Sequence, residues 1–366
     1  MNKWIKLLVF LPIPILMMTV NYLVDPAGLF RIDYEAVAQS IVNGNKTMIT
    51  KNNINERKVK ENMIKKMPKH VECIAVGPSL VMGIRQGDAG TDSFYNLGES
   101  GADFYDIFAQ FGLLEINGVN YNRVIFCIDS YFFDENLNKN FTRNMELKPY
   151  AEYMLDVLDG NIKTAQPKEK NGIYAYKQLL SPQLFQTSFH LIKDKGLEAA
   201  VSGGWIVADN YNGDKWKVAD QDIYEWAYYM PDGSWVYGIK TQKYDEKYVV
   251  KHSNEYAVES QFSKGKHLGN YQKDSFEKLV KYLLDKNVRV DLYLCPVAPT
   301  LWDRINNEEY YVLNELEEFA HNMSSKYNLK LTGSYNPYKL GMTNKDFYDS
   351  RHVRHELLST YFDFKP

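Results

Sequence analysis

The chain alternates between two hydrophobic patterns. Short, nearly continuous apolar runs occur at "VECIAVG" (71–77), "SFYNLG" (93–98), "RVIFCIDSYFF" (123–133), "VRVDLYLCPV" (288–297) and "LKLTGSY" (329–335). Their length and their β-branched and aromatic content predict strands, buried on both faces where the run is unbroken. Between them, "ADFYDIFAQFGLLEI" (102–116), "SFEKLVKYLLDKN" (275–287) and "EEYYVLNELEEFAHNMSSKY" (308–327) place apolar residues three and four apart, the period of a helix. Strands alternating with helices predict an α/β three-layer sandwich around a central parallel sheet. The last segment, "DFYDSRHVRHELLSTYF" (346–362), reads as a loop followed by a helix.

Residues 135–270 break this rhythm and read as an inserted α+β subdomain, dividing the core into 31–134 and 271–366. Within the insert, "YAYKQLLSPQLFQTSFHLIKD" (174–194) is helical in pattern. The stretch 203–241 carries Trp205, Trp216, Trp226 and Trp235, four of the chain's six tryptophans. An Asp232-Gly233 turn signal there predicts a β-hairpin over "YYMPDGSWVYG". Trp205, Trp226 and Trp235 either form a stacking platform for sugar rings or build the insert's own small core.

Residues 1–30 predict an uncleaved membrane anchor, the alternative being a cleaved signal peptide. Lys3 and Lys6 precede an uncharged stretch from Leu7 to Val24, and no small-residue cleavage site follows it. Pro12 and Pro14 kink such a helix without excluding it. The basic flank places the N-terminus inside, giving a single-pass cell-membrane protein with its bulk extracytoplasmic. The basic segment "NERKVKENMIKKMPK" (55–69) reads as an amphipathic helix with a solvated face, or one lying near anionic lipid.

Composition narrows the function. Apolar residues make up 45% and aromatics 14%, enough for a sizeable core, and a net charge of −3 argues against nucleic-acid binding. Cys73, Cys127 and Cys295 each fall in an apolar run and read as small buried hydrophobes, not as a disulfide framework or zinc site. No dinucleotide, P-loop or HExxH pattern occurs, so no metal or organic cofactor is expected.

Candidate chemistry lies at two distant points. "ECIAVGPSLVMGI" ends a strand on Gly77-Pro78 and lands on Ser79, where open α/β sheets carry their sites. Ser79 is either a helix cap or a nucleophile whose surrounding backbone N–H groups face a developing oxyanion. A serine nucleophile needs a base and an orienting acid. "YDSRHVRHE" supplies Asp349 and His352 three positions apart, with His355 three further on. The Asp-x-x-His spacing favours His352 as the base. The competing reading is a solvated helix start capped by Asp349.

Together these blocks resemble the SGNH (GDSL-like) hydrolase superfamily. The likeness is greatest to membrane-anchored extracytoplasmic members that modify cell-surface polymers, of the teichoic-acid D-alanylation and alginate O-acetylation types. "AVGPSLVMG", "NLGESGAD", "VIFCIDSYFF" and "DFYDSRH" occupy the four blocks in order, and "NYLVDPAGLF" looks like the juncture after the anchor. The resemblance covers 70–134 and 272–360. It implies Ser79 as nucleophile, His352 as base, Asp349 as orienting acid, and the Ser79 and Gly101 amides as oxyanion donors. The first block reads Gly-Pro-Ser where the family has Gly-Asp-Ser. The third block lacks the family's asparagine donor and offers Asp129 and Ser130. An ionised Asp129 repels an oxyanion, which leaves Ser130 as the donor or the place unfilled.

The expected function is extracytoplasmic, serine-dependent O-acyl transfer to a cell-surface polysaccharide or teichoic acid. The resemblance implies a multi-spanning membrane O-acyltransferase as partner. The alternatives are an esterase that removes such groups and a non-catalytic glycan-binding scaffold on the same frame.

Overall fold

A computed structural model describes residues 11–49, 54–136, 138, 146–161, 173–202, 205–208, 226–258, 262, 268–307 and 312–366. Its strands are β1 (Lys46–Ile49), β2 (His70–Val76), β3 (Phe94–Asn96), β4 (Asn120–Ile128), β5 (Trp205–Ala208), β6 (Tyr228–Tyr229), β7 (Trp235–Val236), β8 (Arg289–Leu294) and β9 (Lys330–Gly333). The principal helices are α1 (Pro12–Val24), α2 (Glu56–Lys66), α3 (Phe104–Ile116), α4 (Pro182–Lys195), α5 (Glu246–Glu255), α6 (Asn270–Asp285) and α7 (Val312–Tyr327).

Five strands form one sheet in the order β3-β2-β4-β8-β9, with every neighbouring pair parallel. This is a doubly wound, flavodoxin-like order. The period-2 alternation of the strands separates two buried layers. Ile74, Val76, Val124, Phe126 and Leu292 pack with Phe108 of α3, Phe276 of α6 and Leu316 of α7. On the opposite face, Cys73, Ala75, Ile125, Cys127, Tyr293 and Cys295 meet the turn after β2 and the segment holding Val353, Leu358 and Phe362. All three cysteines are buried free thiols. The structure is thus α/β, with a five-stranded parallel sheet covered on both sides.

Several elements differ from the sequence pattern for physical reasons. The run 123–133 continues past its strand: β4 stops at Ile128, and Asp129 caps a helical turn over Ser130–Phe133 by accepting the Tyr131 N–H at 3.0 Å. Segment 174–194 splits into Ile173–Gln178 and α4, because Ser181 caps α4 ahead of Pro182. The hairpin forms as β6 and β7, yet the small antiparallel sheet runs β5-β1-β6-β7. Its β1 precedes the first core strand, so residues 46–49 complete a sheet with strands of the insert.

Helix α2 is not a surface cation face. Lys60 is fully buried, donating to the carbonyls of Asn96 at 2.8 Å and Gly233 at 2.7 Å. Burial lowers its pKa to about 8, against the raising fields of Glu56, Glu99 and Asp232. It sits one helical turn before Ile64, on the apolar side of the helix, so the period carried the signal.

Among the described residues, no helix is long and apolar enough to cross a membrane. Residues 1–10 of the expected anchor lie outside those described, and α1 is 13 residues long. Leu11 just before it and Ile13, Ile15, Leu16 and Leu23 on it are exposed. The end of α1 is docked on the insert: Asn21 donates to the Leu179 carbonyl at 2.9 Å and accepts from Ser188 Oγ at 3.0 Å. Asp25 then closes the juncture, accepting the N–H groups of Leu29 (2.7 Å), Phe30 (3.0 Å) and Arg31 (2.9 Å).

Candidate active site

The chain leaves β2 for β3 on one side and returns to β4 on the other, so a crevice opens at the carboxyl ends of β2 and β4. Ser79 lies there. It begins a single 3-10 turn, Ser79–Val81, whose cap is Pro78 with no side-chain bond. Its hydroxyl therefore does not cap the turn. Ser79 Oγ lies 2.8 Å from His352 Nε2. On the other side of the ring, Nδ1 is 3.0 Å and 2.9 Å from the two oxygens of Asp349.

The last loop orders itself around Asp349. Its carboxylate accepts the backbone N–H of Arg351 at 2.7 Å and of His352 at 2.9 Å while facing the imidazole. Capping the loop and orienting the histidine are therefore the work of one side chain. Burial alone would raise this carboxyl's pKa. The positive field and hydrogen bond of His352, with the two N–H groups, outweigh burial and hold it well below the usual carboxylate range. Asp349 stays ionised and fixes the Nδ1–H tautomer, which turns the Nε2 lone pair toward Ser79.

His355 has a different setting. It is buried, stacks on Tyr237 at 5.2 Å, and stands over Gly83 so closely that a Cβ there would lie 2.2 Å from its Cδ2. Burial, then the charges of Arg85 and His352, lower its pKa from 6.5 to about 3. The folded state keeps this ring neutral while the unfolded chain binds a proton below 6.5, so stability falls as pH drops through that window. Between pH 6.5 and about 4 this group costs roughly 3 kcal/mol by linkage. Melting temperatures of wild type and His355→Phe across that range check it: the variant should have the flatter acid limb, and parallel curves would rule the linkage out.

Gly101 lines the cavity beside Ser79, in a left-handed conformation with φ 56°. Its loop is clamped by the first turn of α2. Glu56 accepts the Ser100 N–H at 2.5 Å and the Ser100 hydroxyl at 2.9 Å. Arg57 donates to the carbonyls of Ser100 (3.2 Å) and Gly101 (3.4 Å) and to Asp106 (2.6 Å). Asn96 ties the two turns together, donating to the carbonyls of Val81 at 2.8 Å and Ile84 at 2.9 Å and accepting from Gly98 N–H at 2.9 Å.

The cavity over Ser79 is about 190 Å³. Ser130 is buried and does not line it: the turn capped by Asp129 carries Tyr131 to the cavity instead. Of the insert's tryptophans whose side chains are described, neither Trp226 nor Trp235 lines it. Trp235 packs edge-on against Tyr229 at 4.8 Å, beside Val59 and Met63 of α2. Trp235 thus joins a small core that the insert shares with Ile32, Val37, Ile41 and α2, not a core of the insert alone. Trp226 is half-buried away from the cavity, and the Trp205 side chain and all of Trp216 lie outside the described residues. Among the described residues, the tyrosines that line the cavity are Tyr131 and Tyr256.

Besides Tyr131, the lining residues that the sequence did not single out include His252, Tyr256 and Arg351. His252, on α5 in the insert, accepts the Ser350 N–H on Nδ1 at 3.3 Å and has the Ser350 hydroxyl 3.0 Å from the same nitrogen. Tyr256 follows at the end of α5. Arg351 bonds through Nη2 to Asp129 and through Nη1 to the Tyr256 hydroxyl at 3.3 Å, with its guanidinium 5.2 Å from the Phe262 ring centre. Asp129 is 1% exposed, so it is a buried carboxylate with a buried cation against it.

No protein-family model matches this chain, and no curated protein matches it significantly.

Proposed function

We propose that the chain is a serine-dependent acyl-transfer enzyme of the SGNH type, with Ser79, His352 and Asp349 as its catalytic triad. The observation that carries this is the unbroken line of hydrogen bonds from Ser79 Oγ through the His352 ring to Asp349. Residues 273 positions apart in sequence meet at 2.8 Å in a crevice where α/β sheets bind ligands. In the first half-reaction Ser79 Oγ bonds to the acyl carbon, and its proton passes to His352 Nε2. His352 then gives that proton to the departing group as the acyl–leaving-group bond breaks, which leaves an acyl ester on Ser79. In the second half-reaction the oxygen of a hydroxyl compound bonds to the acyl carbon as its proton passes to His352, the Ser79 Oγ–acyl bond breaks, and His352 returns that proton to Ser79 Oγ. The backbone N–H groups of Ser79 and Gly101 are the proposed donors to the oxyanion.

The acyl acceptor is a hydroxyl of a cell-surface polysaccharide or teichoic acid, and the acyl group is short, acetyl or D-alanyl. The small cavity suits a short acyl chain. The outward-facing apolar residues of α1 support attachment to a membrane, with the catalytic domain extracytoplasmic and a multi-spanning O-acyltransferase supplying the acyl group. These assignments rest on the resemblance to anchored SGNH proteins.

A fluorophosphonate probe tests the reading. Wild type should be labelled covalently, and Ser79→Ala should abolish both labelling and turnover of p-nitrophenyl acetate. Absence of labelling in wild type, or equal labelling of Ser79→Ala, refutes it. Acetate release without an acceptor, unchanged by added polysaccharide, assigns the protein as an esterase.

A further inference from the structure

The resemblance leaves one place in the oxyanion site unfilled, since the third block ends in Asp129 where a neutral donor belongs. The structure gives Asp129 another task. It is buried, it caps the turn after β4, and it is paired with Arg351. Arg351 lines the same cavity as Ser79 and Gly101. It also comes from the triad's own loop, and its backbone N–H supports Asp349 at 2.7 Å. Three contacts fix the guanidinium: Asp129, the Tyr256 hydroxyl and the face of Phe262.

We infer that Arg351 is the third oxyanion donor of this site, held in place by Asp129 as a positioning residue. This deepens the acyl-transfer reading and rests on it. As the Ser79 Oγ–carbon bond forms, the carbonyl pair moves onto oxygen, and the guanidinium hydrogen-bonds to that oxygen without giving up its proton. A guanidinium is suited to this: it carries five N–H groups in a rigid fork and stays charged throughout. Burial opposes the charge, but Asp129 and Tyr256 outweigh burial and raise the guanidinium pKa further. The pair also accounts for a carboxylate at a position where it would otherwise repel the intermediate. Asp129 brings its own neutralising cation, and the donor moves from the third block to the fourth.

The test uses the full-length chain and p-nitrophenyl acetate, a neutral ester that needs no anion subsite. Arg351→Gln should lower kcat roughly 100-fold with KM within about threefold of wild type. Because this variant leaves Asp129 unpaired, the deciding variant is Arg351→Gln combined with Asp129→Ala, which removes both charges. It should remain as slow as the single variant. Recovery to near wild-type kcat would mean that Arg351 only neutralises Asp129, and would overturn the proposal. A kcat unchanged in Arg351→Gln, with KM raised only for anionic esters, would make Arg351 a substrate anchor and overturn it as well. Should the double variant not fold, Arg351→Lys decides. It keeps a cation against Asp129 but loses the fork, so kcat should drop at least about tenfold, and wild-type kcat would refute the assignment. If wild type itself neither turns over the ester nor takes the fluorophosphonate, the acyl-transfer reading fails and takes this proposal with it. If wild type does both and Arg351→Gln equals it, Arg351 alone loses its role.

Discussion

Replacing Asp349 with asparagine should lower kcat by about 10⁴-fold while leaving KM nearly unchanged. One carboxylate serves two tasks here. Its Oδ1 accepts the N–H groups of Arg351 and His352, and both oxygens lie within 3.0 Å of His352 Nδ1. An asparagine keeps the loop caps through its carbonyl oxygen, which turns its amide NH₂ toward Nδ1. That amide donates, so the ring must accept on Nδ1 and carry its proton on Nε2. The imidazole then donates to Ser79 Oγ and cannot receive the serine proton. A 10⁴-fold loss corresponds to about 5.5 kcal/mol of barrier, far more than the loss of one neutral hydrogen bond. Steady-state kinetics on a chromogenic ester check this, with a melting curve to show that the loop survives. A loss below tenfold in a folded variant would remove Asp349 from the triad.

The second large effect is expected at Gly77. Its φ of 147° lies outside the range that side-chain-bearing residues favour, and a Cβ there would stand 2.7 Å from Cys127 Cβ and 3.1 Å from the Cys127 carbonyl. Cys127 lies on β4, a central strand that is not free to retreat. Gly77→Ala should destabilise the fold by roughly 3 kcal/mol from backbone strain and overpacking together. It should also slow fluorophosphonate labelling, because Gly77 leads directly into Pro78 and Ser79. Cys127→Ser keeps the offending Cβ and should not restore stability. Cys127→Gly should restore part of it. A Gly77→Ala variant that melts with wild type would show that the turn has slack which the close approach does not suggest.

The strands were legible because both faces of the sheet are buried, which leaves apolar runs that turns interrupt abruptly. Ser79, Asp349 and His352 were legible for a chemical reason: the residue types that make a triad stood at strand-end and loop positions, with a spacing that suits one loop. Arg351 was not, although it lies between Asp349 and His352. Its role is set by Asp129, 222 positions away, and no local pattern distinguishes an arginine turned inward from a solvated one. His252 and Tyr256 were hidden in the same way, inside an insert whose link to the crevice is purely three-dimensional. Trp235 was misread because aromatic density signals burial as readily as sugar stacking. Lys60 and Arg57 show the limit of counting charges. A helix dense in lysine reads as solvated, yet two of its cations point into the protein and hold the turns beside Ser79.

The separation of Ser79 from His352 also fixes when the site comes into existence. During synthesis Ser79 emerges early, and 273 more residues must follow before its base exists. At ordinary elongation rates that interval is tens of seconds. Even then, the loop bearing His352 has no seat until β8 and β9 have joined the sheet, a contact set with long loops to close. Through all of this the serine is an ordinary alcohol. On the acyl-transfer reading proposed above, a nucleophile timed this way is inert in the nascent chain and acquires reactivity only as the fold closes.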